Sequence, residues 1–297
     1  MDLRRIRHFN VLAETLNFSR AAERLHIAQP ALSVSIQKLE AELGTRLFER
    51  TPSGVVLTAS GQSALVDARR LLYHGEQLLR TARDAAAGYG GRLRIGFVGS
   101  SIYRVLPTLI PAVRHQYPGL ELVLSECTSS RILVLLREEA LDIGIVRTPL
   151  LQPHGATLHV LHRDRFVAAL PATHPMAGCK SFHLKELAAE PFVMYKPAEA
   201  AGLHASALAA CEAAGFAPEV TQEATQVATV LALVASGLGV ALVPEVVRSE
   251  RTQQVRYVDL LDESQAVETS LALAWHADSE LPAVHRFVEA SRGVVFD

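Results

Sequence analysis

Apolar positions recur at helical spacing through the first ninety or so residues, then give way to short apolar runs alternating with helical stretches. Ile6, Phe9, Leu12 and Ala13 fall on one side of a helix predicted over 3–16. Ser19 is placed to cap a short helix over 20–25 whose buried face is Ala21, Ala22 and Leu25. His26-Ile27-Ala28 breaks that pattern, and a second helix opens at Pro30, a residue suited to a first helical position because it has no N–H to leave unpaired. Leu32, Ile36, Leu39 and Leu43 form its apolar stripe and Gly44 stops it. Two helices joined by a short turn, with alanines where they cross, predict a helix-turn-helix, and the first helix completes a three-helix core. The apolar segments of residues 46–57, folded around Pro52-Ser53-Gly54, predict a wing beside it.

Thr58 can cap a long helix over 59–87. Within it Leu65, Leu72 and Leu79 lie seven apart, and Ala68, Gly75 and Ala82 repeat with the same period. Such a seam serves either to pair two copies or to pack the helix on its own domain, and the length favours pairing. Gly88-Tyr89-Gly90-Gly91 ends the helix. Beyond it the pattern is strand, helix, strand: apolar runs at 93–98, 121–127 and 142–146 with helices between, which predicts parallel pairing in an α/β sheet. The style repeats with strands at 166–170, 192–195, 219–223 and 240–243 and helices at 203–214 and 225–235, before a strand at 269–275 and a closing helix at 282–292. The expected divisions are residues 1–58, a linker helix and hinge at 59–91, and an α/β domain at 92–297.

Charge narrows the partners. The formal net charge of the 297 residues is −2, so the chain is not basic throughout and any nucleic-acid contact is local. The exposed side of the second helix offers Gln29, Ser33, Val34, Gln37 and Lys38 after Pro30, groups able to reach base edges and phosphates in a major groove, and Arg50 and Thr51 of the wing are placed to meet phosphate. An amphipathic helix pair with a solvated face is the plainer alternative. The opening MDLRRIRHF has no apolar signal core and no run nears a membrane span of about 20 apolar residues, so a cytoplasmic protein is expected.

Ligands of open α/β sheets sit beyond the carboxyl ends of strands, near helix starts with free N–H groups. Ser100 and Ser101, Thr128 and Ser129, and Arg147 occupy such ends in the first half of the domain. Any one hydroxyl is a helix cap by default, and Arg147 alone fits a structural ion pair. Together they suggest a carboxylate site in which Arg147 grips the acid by paired hydrogen bonds. Residues 197–203 including Leu203, and the helix start at Thr225-Gln226, are placed to close over it. His159 and His162 fall on opposite faces of a strand, and neither they nor His154 stand with a carboxylate or cysteine cluster, so no metal is expected. Cys127, Cys179 and Cys211 are widely spaced and suit reduced thiols. Gly237-Leu238-Gly239 is no dinucleotide loop, and neither a nucleophile elbow nor a Walker loop is present, so no cofactor or catalytic residue is proposed.

Leu3-Arg4-Arg5-Ile6-Arg7-His8-Phe9, Asn17-Phe18-Ser19-Arg20-Ala21-Ala22, Ala28-Gln29-Pro30-Ala31-Leu32-Ser33, Leu39-Glu40-Ala41-Glu42-Leu43-Gly44 and Leu47-Phe48-Glu49-Arg50 occur in order at compatible distances. Together these blocks closely resemble the LysR-type bacterial transcriptional regulators, and the resemblance extends over essentially the whole chain. It implies an N-terminal winged helix-turn-helix with a long linker helix, followed by a two-lobed α/β domain like a periplasmic binding protein, with lobes at 92–162 plus 268–297 and at 163–267. The partners it implies are double-stranded promoter DNA, a small-molecule inducer, RNA polymerase and further copies of the chain as homodimer or homotetramer. Within that family Phe97-Val98-Gly99-Ser100, the Ser129 helix start and Asp142-Ile143-Gly144-Ile145-Val146-Arg147 look similar to regulators of benzoate and catechol degradation that respond to muconate or benzoate. Leu203 stands where that group often has an aromatic residue, and Val34 where it carries a long polar one, which puts the same inducer and the same operator in doubt. The rival reading is a periplasmic-type binding protein with no regulatory role, opposed by the winged motif and the missing export signal.

Overall fold

The computed structural model describes residues 2–51, 54–87, 91–151, 153, 155–249, 253–262 and 267–296. The side chains of Arg50, Thr51 and Ala82 lie outside the described positions, as do Pro52, Ser53, hinge residues 88–90 and His154. The chain divides into two compact units, residues 1–90 with Glu138–Ala140 and residues 91–137 with 141–297.

In the first unit α1 (Leu3–Thr15) begins at an Asp2 cap and ends at Leu16 in a left-handed conformation. The second helix, α2 (Phe18–Arg24), is capped by Asn17, whose side-chain oxygen accepts from the Ser19 and Arg20 amides. The expected cap, Ser19, therefore sits inside the helix: an Asn oxygen two residues earlier reaches two free amides at once. Helix α3 (Gln29–Leu43) opens one residue before Pro30 and ends at Gly44, whose φ of +67° suits a residue without Cβ. Ile6, Phe9, Leu12, Ala21, Ala22, Leu32, Ile36 and Leu39 make the core these helices share. Strands β1 (Phe48–Thr51) and β2 (Gly54–Leu57) pair antiparallel as the wing. Glu40 of α3 accepts from the Leu47 and Phe48 amides at 2.8 and 3.2 Å, which ties the wing to the helix.

The Thr58 hydroxyl accepts from the Gly61 amide at 2.9 Å and caps α4 (Ala59–Ala87). Of the two heptad rows, Ala68 is buried and Leu65 and Leu72 pack against the three-helix core, while a Cβ on Gly75 would lie 3.1 Å from Leu3. The N-terminal part of the expected pairing seam is therefore used within the unit, because α1 needs a cover for its second face. Val66, Leu71, Leu78 and Leu79 are the exposed large apolar residues of α4.

In the second unit, parallel strands β3 (Gly91–Phe97), β4 (Leu120–Glu126) and β5 (Ile143–Thr148) alternate with α5 (Val105–Gln116) and α6 (Ser129–Arg137). Ile143 to Val146 is fully buried, as expected of a central parallel strand covered on both faces. A 3-10 turn, Gly99–Tyr103, separates β3 from α5 where the sequence suggests a turn at Gly99-Ser100-Ser101 before the helix. Strand β6 (Ala156–Pro171) spans 16 residues and is followed by β7 (Ser181–Phe182), β8 (Pro191–Tyr195), α7 (Ala201–Ala213), β9 (Glu219–Ala224), α8 (Val227–Ala235), β10 (Ala241–Pro244), β11 (Val255–Leu260), β12 (Glu268–His276) and α9 (Pro282–Arg292). The main sheet runs β4-β3-β5-β12-β6-β11-β7 with β10 also on β6, and β8 pairs with β9. Through Arg165, β6 pairs with β12; from Phe166 it pairs with β10. The sequence placed the crossing between lobes at 162 and 163, whereas the change of partner comes three residues later, inside one continuous strand. Each lobe has its own core, one around Ile95, Ile143, Ile145 and Phe287, the other around Phe166, Phe192, Val230 and Val243.

Candidate functional site

In the first unit α3 buries Leu32, Ile36 and Leu39 and leaves Gln29, Pro30, Lys38 and Val34 exposed, with Ser33 half-buried beside them. Val34 is 48% exposed although apolar, a placement that suits contact with a thymine methyl. Ala28 supplies no side-chain cap, so the start of α3 keeps amide donors and a partial positive charge for a phosphate. Ser35 is turned inward, its hydroxyl 2.7 Å from His8 Nδ1, and Arg5 pairs with Glu42, so α1 fixes the roll of α3 at both ends.

In the second unit the lobes enclose a cavity of about 270 Å³. One wall carries Gly99, Ser100, Thr128, Ser129, Ser130 and Arg147, and the other Glu199, Gly202, Leu203, Thr225, Gln226 and Val227; Leu133, Val134, Leu150 and Leu151 add apolar surface. The structure thus brings together seven of the eight predicted ligand residues. Ser101 is the exception: it is fully buried, its hydroxyl donates to the Val98 carbonyl at 2.7 Å, and it closes the 3-10 turn rather than facing the cavity. The starts of α6 and α8 border the cavity, as the strand-end rule requires, and α8 has no side-chain cap.

Arg147 corrects the expectation of a carboxylate clamp. Its side chain is 3% exposed and its Nη1 donates to Asp164, itself 1% exposed, at 2.9 Å. Nε donates to the Ser100 hydroxyl at 3.1 Å. The acid that Arg147 grips is therefore internal, because a guanidinium sealed from water requires a counter-ion in place before any ligand arrives. Burial presses its pKa below the ordinary value and the Asp164 carboxylate opposes that shift. Nη2 is buried without a hydrogen-bond partner.

The backbone amide of Arg147 also donates, at 3.0 Å, to the Ser129 hydroxyl. Ser100 and Ser129 thus each accept from Arg147, one from its side chain and one from its backbone. Thr128 likewise accepts from the Arg131 amide at 3.3 Å. A hydroxyl whose oxygen is engaged this way keeps its hydrogen to donate, so this wall offers donors. On the other wall Thr225 donates to Glu199 Oε2 at 3.1 Å, and Lys196 Nζ meets Glu199 Oε1 at 2.8 Å.

Two contributions escaped the sequence. Asp164 lies in a strand half crowded with charge, Arg163-Asp164-Arg165, where nothing distinguishes the buried member except its alternation with the exposed ones. Gly202 lets the start of α7 approach the other lobe: a Cβ there would lie 2.2 Å from the Pro149 carbonyl oxygen. Gly99 does the same for Gln226, whose Oε1 would be 2.9 Å from an added Cβ. Among the described residues no cluster of three or more metal-binding side chains is assembled, and no helix is long and apolar enough to cross a membrane.

Comparison with known proteins accounts for both units. Residues 3–62 match the family described as bacterial regulatory helix-turn-helix protein, lysR family, and residues 86–295 match the LysR substrate binding domain. The HTH-type transcriptional regulator CatR of Pseudomonas putida is 40% identical over 264 residues, 88% of this chain and 89% of its own. AlsR of Bacillus subtilis is 34% identical, covering 98% of this chain and 95% of its own. The crystal structure of CbnR, a LysR family transcriptional regulator, has a TM-score of 0.79 at 26% identity and covers 98% of both chains, and that of CbnR complexed with its target DNA has a TM-score of 0.78 at 27% identity, covering 98% of this chain and 99% of that one. A winged helix-turn-helix and a two-lobed effector-binding domain, matched in sequence and structure from end to end, make this chain a member of the LysR family of DNA-binding transcriptional regulators.

Proposed function

We propose that the cleft binds a small carboxylate inducer, and that its occupancy alters how paired winged modules sit on promoter DNA and meet RNA polymerase. The observation that carries the carboxylate is the donor arrangement: Ser100 and Ser129, both lining the cavity, each accept from Arg147, which leaves both hydroxyl hydrogens available to an acceptor there. An ionised carboxylate accepts and never donates, and the amide-rich starts of α6 and α8 favour its charge. The apolar contribution of Leu133, Val134, Leu150 and Leu203 suits a ring or short alkyl body, which agrees with an intermediate of aromatic catabolism. Binding acts without turnover, as a population shift between subunit arrangements driven by differential affinity. Homodimers or homotetramers, held through the exposed leucines of α4 in a cytoplasmic protein, would present α3 twice, with Gln29, Ser33, Val34 and Lys38 on the bases and Arg50 and Thr51 on phosphate.

The test is thermal unfolding of the full chain against benzoate, muconate and short aliphatic acids, paired with DNA binding by gel shift. A ligand for the folded state raises the midpoint in proportion to its concentration. Ser129→Ala removes a charge-assisted donor and is expected to weaken the best acid about tenfold or more, while DNA binding without inducer is retained. A panel in which no acid shifts the midpoint, or equal loss of acid and DNA binding in Ser129→Ala, would overturn the proposal.

A further inference from the structure

The side chains presented by the two walls of the cleft differ: hydroxyls on one, and on the other a carboxylate, Glu199, beside Gln226 and the start of α8. On the wall of Ser100, Thr128 and Ser129 each hydroxyl oxygen already accepts from an arginine and keeps its hydrogen free to donate to a ligand. Across from it stands Glu199, a carboxylate lining the cavity. A carboxylate has about four lone-pair sites, of which the Lys196 ammonium and the Thr225 hydroxyl take one on each oxygen. Those hydrogen bonds, from Lys196 first and Thr225 next, hold the Glu199 pKa below the usual carboxylate range, so the group is an anion at neutral pH. Thr225 has given its hydrogen to Glu199 and offers the cavity only its oxygen. Lys196, which meets Glu199 Oε1 at 2.8 Å, is not among the residues that line the cavity.

We propose that the cleft selects a monocarboxylate whose far end carries a hydrogen-bond donor, a hydroxyl or N–H group, with Glu199 as the specificity-determining residue, and that it disfavours dicarboxylates. The proposal rests on the reading of the cleft as a carboxylate site. An acid group held at Ser100 and Ser129 leaves the rest of the ligand to reach Glu199 across an apolar span, and 270 Å³ admits a single ring or a chain of similar bulk. A donor there completes an acceptor that is fixed in place by two hydrogen bonds; a second carboxylate there meets the like charge of Glu199. Specificity comes from the repulsive element as much as from the attractive one.

Two matched sets of sodium salts separate the possibilities at constant ionic strength: hexanoate, 6-hydroxyhexanoate and adipate, and benzoate, 3-hydroxybenzoate and isophthalate. Midpoints of thermal unfolding are read on the full chain and on Glu199→Gln, a nearly isosteric change at a side chain 46% exposed, whose unliganded midpoint reports retention of the fold. The expected result is that the hydroxy acid outranks the diacid by about tenfold or more in apparent affinity in at least one set, and that Glu199→Gln, which removes the charge and supplies a donor, erases or reverses that order. A diacid that outranks the hydroxy acid on the unaltered protein overturns the inference, as does a ranking unchanged by Glu199→Gln. Equal shifts for all three members of each set sink the inference and leave the carboxylate site standing. Absence of any shift with all six acids overturns the carboxylate site itself, and the inference with it.

Discussion

A single guanidinium shows how the burial of a charge decides its role. Arg147 is sealed among Ser100, Asp164 and Thr269, and removing either member of its ion pair strands the other away from water. Arg147→Ala or Asp164→Ala is therefore expected to destabilise the effector-binding domain by about 3–5 kcal/mol, measured by urea unfolding of the full chain followed at Trp275. A cost under about 1 kcal/mol would show the pair to be dispensable. Such a loss would mask any effect on inducer, so Ser129 is the better probe of binding. The sequence revealed the hydroxyls at strand ends, but not which of two adjacent serines faces the cavity. Ser100 and Ser101 differ by one step of a 3-10 turn, and that step turns one hydroxyl to Arg147 and the other to Val98. Nor could it show that the anion for Arg147 comes from position 164, since a pairing of strands β5, β12 and β6 is needed to bring it there.

At the scale of elements, local pattern did most of the work wherever one face of a helix is apolar. The three helices of the first unit lie within a residue or two of their predicted bounds. The exception concerns a cap, and it is testable. Asn17→Ala is expected to cost about 1 kcal/mol, because Asn17 accepts two amide hydrogens, whereas Ser19→Ala should stay within about 0.5 kcal/mol. Chemical unfolding of the two variants decides between them; a larger loss at Ser19 would return the cap to the hydroxyl. The front half of β6 was legible only as a strand holding His159 and His162, without its bounds or its continuity with 166–170. His159, His162, Arg163 and Arg165 interrupt the apolar alternation on which a strand is recognised, and what holds this segment extended is the ladder to β12, over a hundred positions away. The turn after β3 was legible at Gly99-Ser100-Ser101, but not its 3-10 form or its extension to Tyr103.

For the molecule as a whole, the long helix divides its apolar residues between two tasks. Leu65, Ala68 and Leu72 cover the helix-turn-helix core, and Leu78 and Leu79, 72% and 58% exposed, are the surface through which the proposed oligomer would form. Replacing both by Glu is expected to shift sedimentation to a smaller species and weaken DNA binding, since a two-fold site needs two linked modules. Unchanged sedimentation would place the oligomer contact elsewhere. The heptad count suggested one seam along the whole helix, and the division was hidden because periodicity reports that a face is buried without naming its partner. Strand β6 has a further consequence at this scale. It belongs to both lobes without interruption, bonded first to β12 and then to β10 and β11. Neither ladder spans the junction between Arg165 and Phe166, so a twist of the strand at that point turns one lobe against the other with the bonds on both sides kept. The joint there is a torsion hinge set inside a strand, stiffer than a loop, and it ties the cleft to both sheets at once.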